Sequence, residues 1–315
     1  MPTIGFDVGG TSIKAGLIDD SGSILAKRSA PTDGSDLNGF VSTLKEIVEA
    51  FRTEAGVAGV GLGVPGLVST RTGKVAASAH VRAIEDVDLA GMLAREFLLP
   101  VTVDNDANVG AYAEFRCGAG KGLRHLAYIT LGTGLGSGLI LDGRLYRGAS
   151  GYAAELGHAV IEPGGRLCDC GARGCVETWV SATGMVKTAE ELLPGDTSSV
   201  LHSSRHPGPL TAEGIHEAAV RGDALAQEVF TVTGRYLGLA AATLMNLLNL
   251  EAIVLGGGVL GTGRLLIDPA IREAERHAFP ATFKDCPIVQ SKIWPDAGIV
   301  GAAMLARNHV ANPHS

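Results

Sequence analysis

The chain has 315 residues, enough for two domains at about 150 residues each. Its 26 basic and 33 acidic side chains leave a net charge of −7, which argues against a protein built chiefly to hold nucleic acid, because neutralising phosphates needs a surplus of Lys and Arg on at least one face. With 46% hydrophobic and 19% charged residues the composition excludes wholesale disorder, and 44 glycines, about twice ordinary usage, point to many tight turns and close backbone approaches.

In chain order, Ile4–Asp7 predicts a strand, Gly9-Gly10-Thr11 a turn, and Ser12–Asp19 a returning strand closed by Asp20-Ser21-Gly22. Phe40, Val41, Leu44, Ile47, Val48 and Phe51 recur at helical spacing, with Gly56 as the expected C-cap. A Gly-rich strand over Val57–Val64 ends at Pro65-Gly66. A helix across Leu89–Leu98 stops before Pro100, and Val101–Val103 is a strand leading into Asn105-Asp106-Ala107-Asn108, where a helix begins. Leu126–Leu131 is a further strand before a second Gly-rich turn. The Ser-, Pro- and Gly-rich stretch from Pro194 to Pro209 reads as a mobile loop, and helices resume near Thr211 and after the capping residue Asp223. Ala252–Leu255 is a strand running into Gly256-Gly257-Gly258, and a last helix lies near Ala297–Asn308.

No basic stretch followed by an apolar one opens the chain, so no secretory signal is expected. The longest apolar run, Leu237 to Leu255, is broken by Asn246, Asn249 and Glu251 and reads as a buried helix feeding a strand, not as a membrane span. Five cysteines are too few and too clustered for a secreted disulfide scaffold. The expectation is a cytoplasmic protein with neither membrane nor nucleic acid as a partner.

An internal repeat organises these elements. Gly10-Thr11-Ser12-Ile13-Lys14-Ala15-Gly16-Leu17-Ile18 matches Gly132-Thr133-Gly134-Leu135-Gly136-Ser137-Gly138-Leu139-Ile140: Gly-Thr, four residues, then Gly-Leu-Ile. A spacing near 120 residues is no solenoid; it implies two related α/β halves, each presenting a Gly-rich turn. Glycines let backbone N–H groups approach phosphate oxygens, and a Thr hydroxyl adds a donor. Neither turn is a Walker loop or a dinucleotide fingerprint, and either alone reads equally well as a structural hairpin. Together, with Asp7 two residues before Gly9, they favour polyphosphate binding, Asp7 facing a nucleotide-bound Mg2+.

His158, Cys168, Cys170 and Cys175 offer one imidazole and three thiolates, a closed tetrahedral set for structural Zn2+, with Gly171 and Gly174 allowing the chain to wrap. Reduced core cysteines or a redox pair are the plainer alternative; Cys117 and Cys286, without such partners, are expected in the core. Asp106, after a strand and before a helix, could take a proton from a substrate hydroxyl; Asp104 is its rival at the same strand end. Glu155 and Glu177 flank the cysteine loop and suit a ligand with many hydroxyls, although solvated surface carboxylates would look the same. A glycosidase pair is conceivable, but it leaves both Gly-Thr turns without a purpose.

Taken together, Asp7–Thr11, Gly63–Gly66, Asn105–Asn108, Leu131–Gly136, Glu155–His158, Cys168–Glu177 and Leu255–Gly258 resemble the ROK (repressor, open reading frame, kinase) family over nearly the whole chain, and within it the ATP-dependent glucokinases. The resemblance implies an α/β, actin-like ATPase fold of two ribonuclease-H-like domains with ATP and sugar in the cleft. The smaller would comprise residues 1–115 plus 298–315, the larger 116–297 with the zinc-binding loop. It also implies Asp106 as the base that deprotonates a hexose 6-hydroxyl, and Gly66, Asn105, Glu155, His158 and Glu177 as sugar contacts. Asp7, Gly9, Gly10, Thr11, Gly132, Thr133, Gly134, Gly256 and Gly257 would bind ATP-Mg2+. Structural Zn2+ on His158, Cys168, Cys170 and Cys175 would brace the sugar wall, and a homo-oligomer is expected by family analogy.

One stretch departs from the glucokinase pattern: His80 and Ile84, within Ala79–Ile84, align where many relatives carry Asn and Trp. This leaves room for an amino sugar, such as 3-amino-3-deoxyglucose (kanosamine), N-acetylglucosamine or N-acetylmannosamine. A sugar-responsive transcriptional regulator of the same family is a reading from another class, disfavoured because the Asp7 turn begins almost at residue 1 with no helix-turn-helix segment before it.

Overall fold

The computed structural model describes residues 1–78, 80–202 and 208–311. Ala79 and part of the expected 194–209 loop lie outside those residues. In chain order the elements begin β1 (Thr3–Val8), β2 (Ser12–Ile18), β3 (Ile24–Pro31), α1 (Leu37–Arg52), β4 (Val60–Val64), β5 (Leu67–Val68), β6 (Val75–Ala77), α2 (Leu89–Phe97), β7 (Val101–Asn105) and α3 (Asp106–Cys117). They continue β8 (Leu126–Leu131), β9 (Leu135–Leu141), β10 (Arg144–Tyr146), α4 (Ala182–Leu192), α5 (Ala212–Val220), α6 (Ala224–Leu248), β11 (Ala252–Gly256), α7 (Arg264–His277), α8 (Pro280–Asp285), β12 (Ile288–Gln290) and α9 (Ala297–Ala311).

The repeat seen in the sequence reappears as topology. One five-stranded sheet runs β3-β2-β1-β4-β7 and the other β10-β9-β8-β11-β12, so each Gly-Thr turn joins the middle strand of its sheet to the next one. In the first sheet β1 pairs antiparallel with β2 and parallel with β4, and β4 pairs parallel with β7. The chain divides into two compact units: residues 1–128, 138–154 and 291–315, and residues 129–137 and 155–290. The boundary expected after residue 115 falls inside the last turn of α3, a continuous helix.

In the first unit, α1 buries Phe40, Leu44, Ile47, Val48 and Phe51, the stripe read from the sequence, and Asp36 caps it by accepting from Asn38 N and Gly39 N. It ends at Arg52 with Thr53 as C-cap, three residues before the expected Gly56, because Thr53 N already closes on Glu49 O without a left-handed residue. The stripe packs with Ile4, Phe6, Leu62 and Val64 of the sheet in one core. Helix α9 forms a second core with Val109, Tyr112 and Ala113 of α3. It lies directly on β1 and β4: a Cβ at Gly5 would fall on the Ile299 carbonyl oxygen, and one at Gly61 on that of Ala302. Gly61→Ala is therefore expected to destabilise the protein by about 3 kcal/mol through overpacking. Gly195→Ala, where an added Cβ meets open space, should change the stability read from a urea curve by about 0.5 kcal/mol or less.

The second unit is built around α6, whose N-cap Asp223 accepts from Ala226 N as the sequence suggested. Its buried face includes Phe230, Leu237 and Met245. Gly234 and Gly238 let α7 approach, since side chains there would meet the Leu266 and Ala270 carbonyls. Among the described residues no helix is long and apolar enough to cross a membrane. Of the two cysteines expected in the core, Cys286 is buried and its thiol is pushed up to about 12 by burial. Cys117 is instead partly exposed at the end of α3, its Sγ 3.7 Å from Ser21 O.

Candidate active site

Strand register brings the first unit's candidates into one row. Asp7 sits opposite Gly63, and Gly63 opposite Asp104, at the carboxyl ends of three parallel strands, with Gly66 and Asp106 just beyond. Ligands of open α/β sheets bind at that edge. The turn at Gly9-Gly10-Thr11 is held by Gly9 N donating to Ser12 O (2.9 Å), Thr32 N to Thr11 O (3.1 Å) and Thr32 Oγ1 to Gly9 O (2.7 Å). His80 lies against this turn, its Cβ 3.0 Å from where a Gly10 side chain would begin. Burial raises the Asp7 carboxyl above its ordinary range, and the Lys14 ammonium partly offsets this. A side chain at Gly298 would collide with Asp7, so the carboxylate sits at the first turn of α9, where the helix dipole favours negative charge.

Asn105 caps α3: its Oδ1 accepts from Ala107 N (2.9 Å) and Asn108 N (3.1 Å), while Nδ2 donates to Gly66 O (3.0 Å). Gly66 itself has φ +124°, and a Cβ there would strike the Ala77 carbonyl, so no other residue fits. Asp106 is the first helical residue, half-buried, with Oδ1 2.8 Å from Ala107 N. Its rival is differently placed. Asp104 is 6% exposed, and its Oδ1 accepts from Asn105 N (2.8 Å) and Asn108 Nδ2 (2.9 Å) while Oδ2 accepts from Arg147 Nε (2.7 Å). Both oxygens are taken by protein donors.

In the second unit the turn at Gly132-Thr133-Gly134 is tied to the start of α4, with Ala182 N donating to Gly132 O (2.9 Å) and Thr183 Oγ1 to Thr133 O (3.0 Å). Glu177 belongs partly to this turn, its Oε2 accepting from Leu135 N at 2.9 Å. Gly257, with φ +93°, lies against the Leu131 backbone, so the β11 end with Gly256 meets the β8 end where the turn starts. Glu155 precedes the short helical turn Leu156–His158. Burial raises its carboxyl above the usual range; the nearby His158 lowers it and Glu177 raises it further.

His158, Cys168, Cys170 and Cys175 converge, their ligand atoms all within 4.8 Å of one another. Cys168 Sγ is 3.6 Å from His158 Nδ1 and Cys170 Sγ 3.7 Å from Cys175 Sγ, too far for a disulfide. The other imidazole nitrogen, Nε2, faces Glu155 Oε2 at 3.9 Å. Burial raises the Cys168 thiol and pushes that of Cys175 up to about 12, whereas a backbone hydrogen bond from Ala172 lowers Cys170. These four side chains can hold one metal ion.

Arg166, absent from the sequence reading, anchors this loop from the other side. It pairs with Glu191 at 2.6 Å, donates to Thr178 O (2.7 Å) and Gly184 O (3.1 Å), and stacks over Trp179 at 3.7 Å. Trp179 in turn stacks on Tyr236 of α6. Thr32 and Arg147 were likewise missed. Each acts on partners more than twenty residues away, and no local pattern marks them.

A model of the ROK family matches residues 3–309. The chain is 36% identical over 313 residues to the glucokinase of Halalkalibacterium halodurans, covering 96% of this chain and 94% of that one. It resembles the crystal structure of a ROK family glucokinase from Streptomyces griseus in complex with glucose and AMPPNP, at a TM-score of 0.85 and 33% identity over 98% of this chain and 100% of that one. A xylose repressor of Caldicellulosiruptor bescii is 28% identical over 317 residues, 98% of this chain and 79% of the repressor. The mixed α/β fold is thus of the actin-like ATPase class.

Proposed function

The chain belongs to the ROK family, and from that premise we propose that it transfers the γ-phosphoryl group of ATP to the 6-hydroxyl of a hexose, glucose being the leading acceptor. The observation that carries this reading is the placement of Asp106, half-buried at the first turn of α3 just past the carboxyl end of β7, next to the Asn105 cap that bonds Gly66. Asp106 takes the proton of the hydroxyl as it attacks phosphorus. Such transfer needs little covalent help, so the other residues position groups and spread charge.

Gly9, Gly10, Thr11, Gly132, Thr133 and Gly134 offer backbone and hydroxyl donors to phosphate oxygens. Gly256 and Gly257 accommodate the adenosine side, and Asp7 faces the Mg2+ that travels with the nucleotide. Asn105, Glu155, His158 and Glu177 hold sugar hydroxyls, with Gly66 fixing the Asn105 amide. Glu177 Oε2 already serves Leu135 N, and Oε1, 4.0 Å from Cys168 Sγ, is the oxygen offered to the sugar.

The cysteine loop suits Zn2+. Bond lengths of about 2.3 Å to sulfur and 2.0–2.1 Å to nitrogen make tetrahedral edges of about 3.5–3.8 Å; two of the six edges in the loop are 3.6 and 3.7 Å, and all lie within 4.8 Å. The ion would be structural, since three thiolates and an imidazole close its shell. His158 Nδ1 and the three thiolates would hold it, leaving Nε2 facing Glu155, and such a link would orient the imidazole and its carboxylate neighbour.

A substrate panel tests the reading. With Mg2+-ATP, kcat/KM for glucose should exceed those for mannose, N-acetylglucosamine, N-acetylmannosamine and aminodeoxyglucoses. An amino sugar preferred by about tenfold, about 1.4 kcal/mol of transition-state binding, would move the assignment to an amino-sugar kinase. Sugar-dependent retardation of promoter DNA would instead favour a regulator; none is expected.

A further inference from the structure

We propose that Asp104 and Arg147 form a positioning pair for phosphoryl transfer, Arg147 holding Asp104 and Asp104 holding the junction that presents Asp106. The inference rests on the reading of Asp106 as the base. Asp104 Oδ1 spans the junction between β7 and α3, accepting from Asn105 N at 2.8 Å on the strand side and from Asn108 Nδ2 at 2.9 Å inside the first helical turn. Asp106 lies between those two donors in the chain.

Stability alone does not call for a carboxylate here. An Asn at position 104 would accept from the same two donors through its one oxygen. What the carboxylate adds is a second oxygen, and that oxygen meets Arg147 Nε at 2.7 Å. Keeping a charge on a residue 6% exposed is costly, and buried pairs are frequently replaceable without loss of stability. A role in setting geometry accounts for the charge better than a role in stability.

Arg147 is itself anchored. It opens the segment after β10 that lies along residues 68–71, with Ala153 N donating to Arg147 O (3.2 Å), Thr70 N to Ser150 O (3.0 Å) and Arg71 Nε to Ala149 O (3.2 Å). A side chain at Gly151 would collide with the Val68 carbonyl, so the two stretches are in close register. The same segment ends at Ala154, and the next residue is Glu155. One ion pair thus ties the turn that presents the base to the anchored segment that starts at Arg147.

The test compares Asp104→Asn, Arg147→Met, Arg147→Lys and the Asp104→Asn/Arg147→Met double variant by rapid-quench single turnover, steady-state KM and thermal melting. Either single change to a neutral residue should slow transfer about 10- to 100-fold, as a small misplacement does, with KM for ATP and sugar within about threefold of wild type. The double variant should be no slower than the singles, because both remove one interaction. Arg147→Lys should recover part of the rate. A purely structural pair would lower the melting temperature and leave the transfer rate of the folded protein within about twofold; that result, or losses that multiply in the double variant, overturns the proposal. Should Arg147→Met fail to fold, the isosteric Asp104→Asn decides alone. Sugar-dependent turnover persisting in Asp106→Asn would mean that the base assignment has failed; an inactive Asp106→Asn beside fully active Asp104→Asn and Arg147→Met would mean that only the positioning role has.

Discussion

Asp106→Asn is expected to lower kcat by about 10²- to 10⁴-fold, the ordinary contribution of a general base. That corresponds to about 2.7–5.5 kcal/mol of barrier. The substitution is close to isosteric, and the amide oxygen can still accept from Ala107 N, now 2.8 Å from Asp106 Oδ1. What the fold loses is a negative charge in the first turn of α3, about 0.3–1 kcal/mol of dipole interaction. Activity should therefore collapse while the urea midpoint moves little. Coupled detection of ADP, with and without sugar, reads the first quantity and a denaturation curve the second. Sugar-dependent turnover that survives the change would reject Asp106 as base.

The second large effect is expected in the cysteine loop. Cys175→Ser and Cys168→Ser each replace a buried ligand of the proposed zinc site, and bound zinc measured by atomic emission should drop from about one ion per chain to about none. Loss of the ion should also weaken sugar binding by about 10- to 100-fold, as removal of orienting groups around a metal does, since His158, Glu155 and Glu177 are arranged on or beside the loop. The melting temperature should fall, though Arg166 keeps a metal-independent hold on Thr178 and Gly184.

The pH dependence has a definite sign. In the metal-free loop the Cys168 and Cys175 thiols are raised by burial, Cys175 to about 12, so both are protonated at neutral pH. Binding must displace those protons, so affinity rises with pH and falls on acidification. Chelator competition should strip the ion more readily at about pH 6 than at about pH 8. Fully active protein that carries no zinc would remove the metal from the account.

Local chemistry explains what could be read without coordinates. The Asp223 cap bonds to backbone three residues ahead, so the residue type and its place before an apolar stripe suffice. The cysteine cluster is close in the chain, and the repeat of Gly-Thr turns survives as two sheets of identical order. Where partners are distant, the reading stopped. Asp104 and Asp106 look alike as residues, and the partner that ties Asp104 to the far segment, Arg147, lies 43 positions away. Glu177 was seen as a sugar contact alone, although its bond to Leu135 crosses 42 positions. The Gly56 cap failed for a different reason: glycine after a helix is a preference, and here the last turn closed at Thr53 without a left-handed residue.

The most direct test of the whole account is product analysis by phosphorus NMR after incubation with glucose and Mg2+-ATP. The account predicts a phosphomonoester on the 6-carbon of the sugar, formed one for one with ADP and absent without sugar. A folded protein that binds the nucleotide yet gives no sugar phosphate, with glucose or any other hexose or amino sugar, would contradict it.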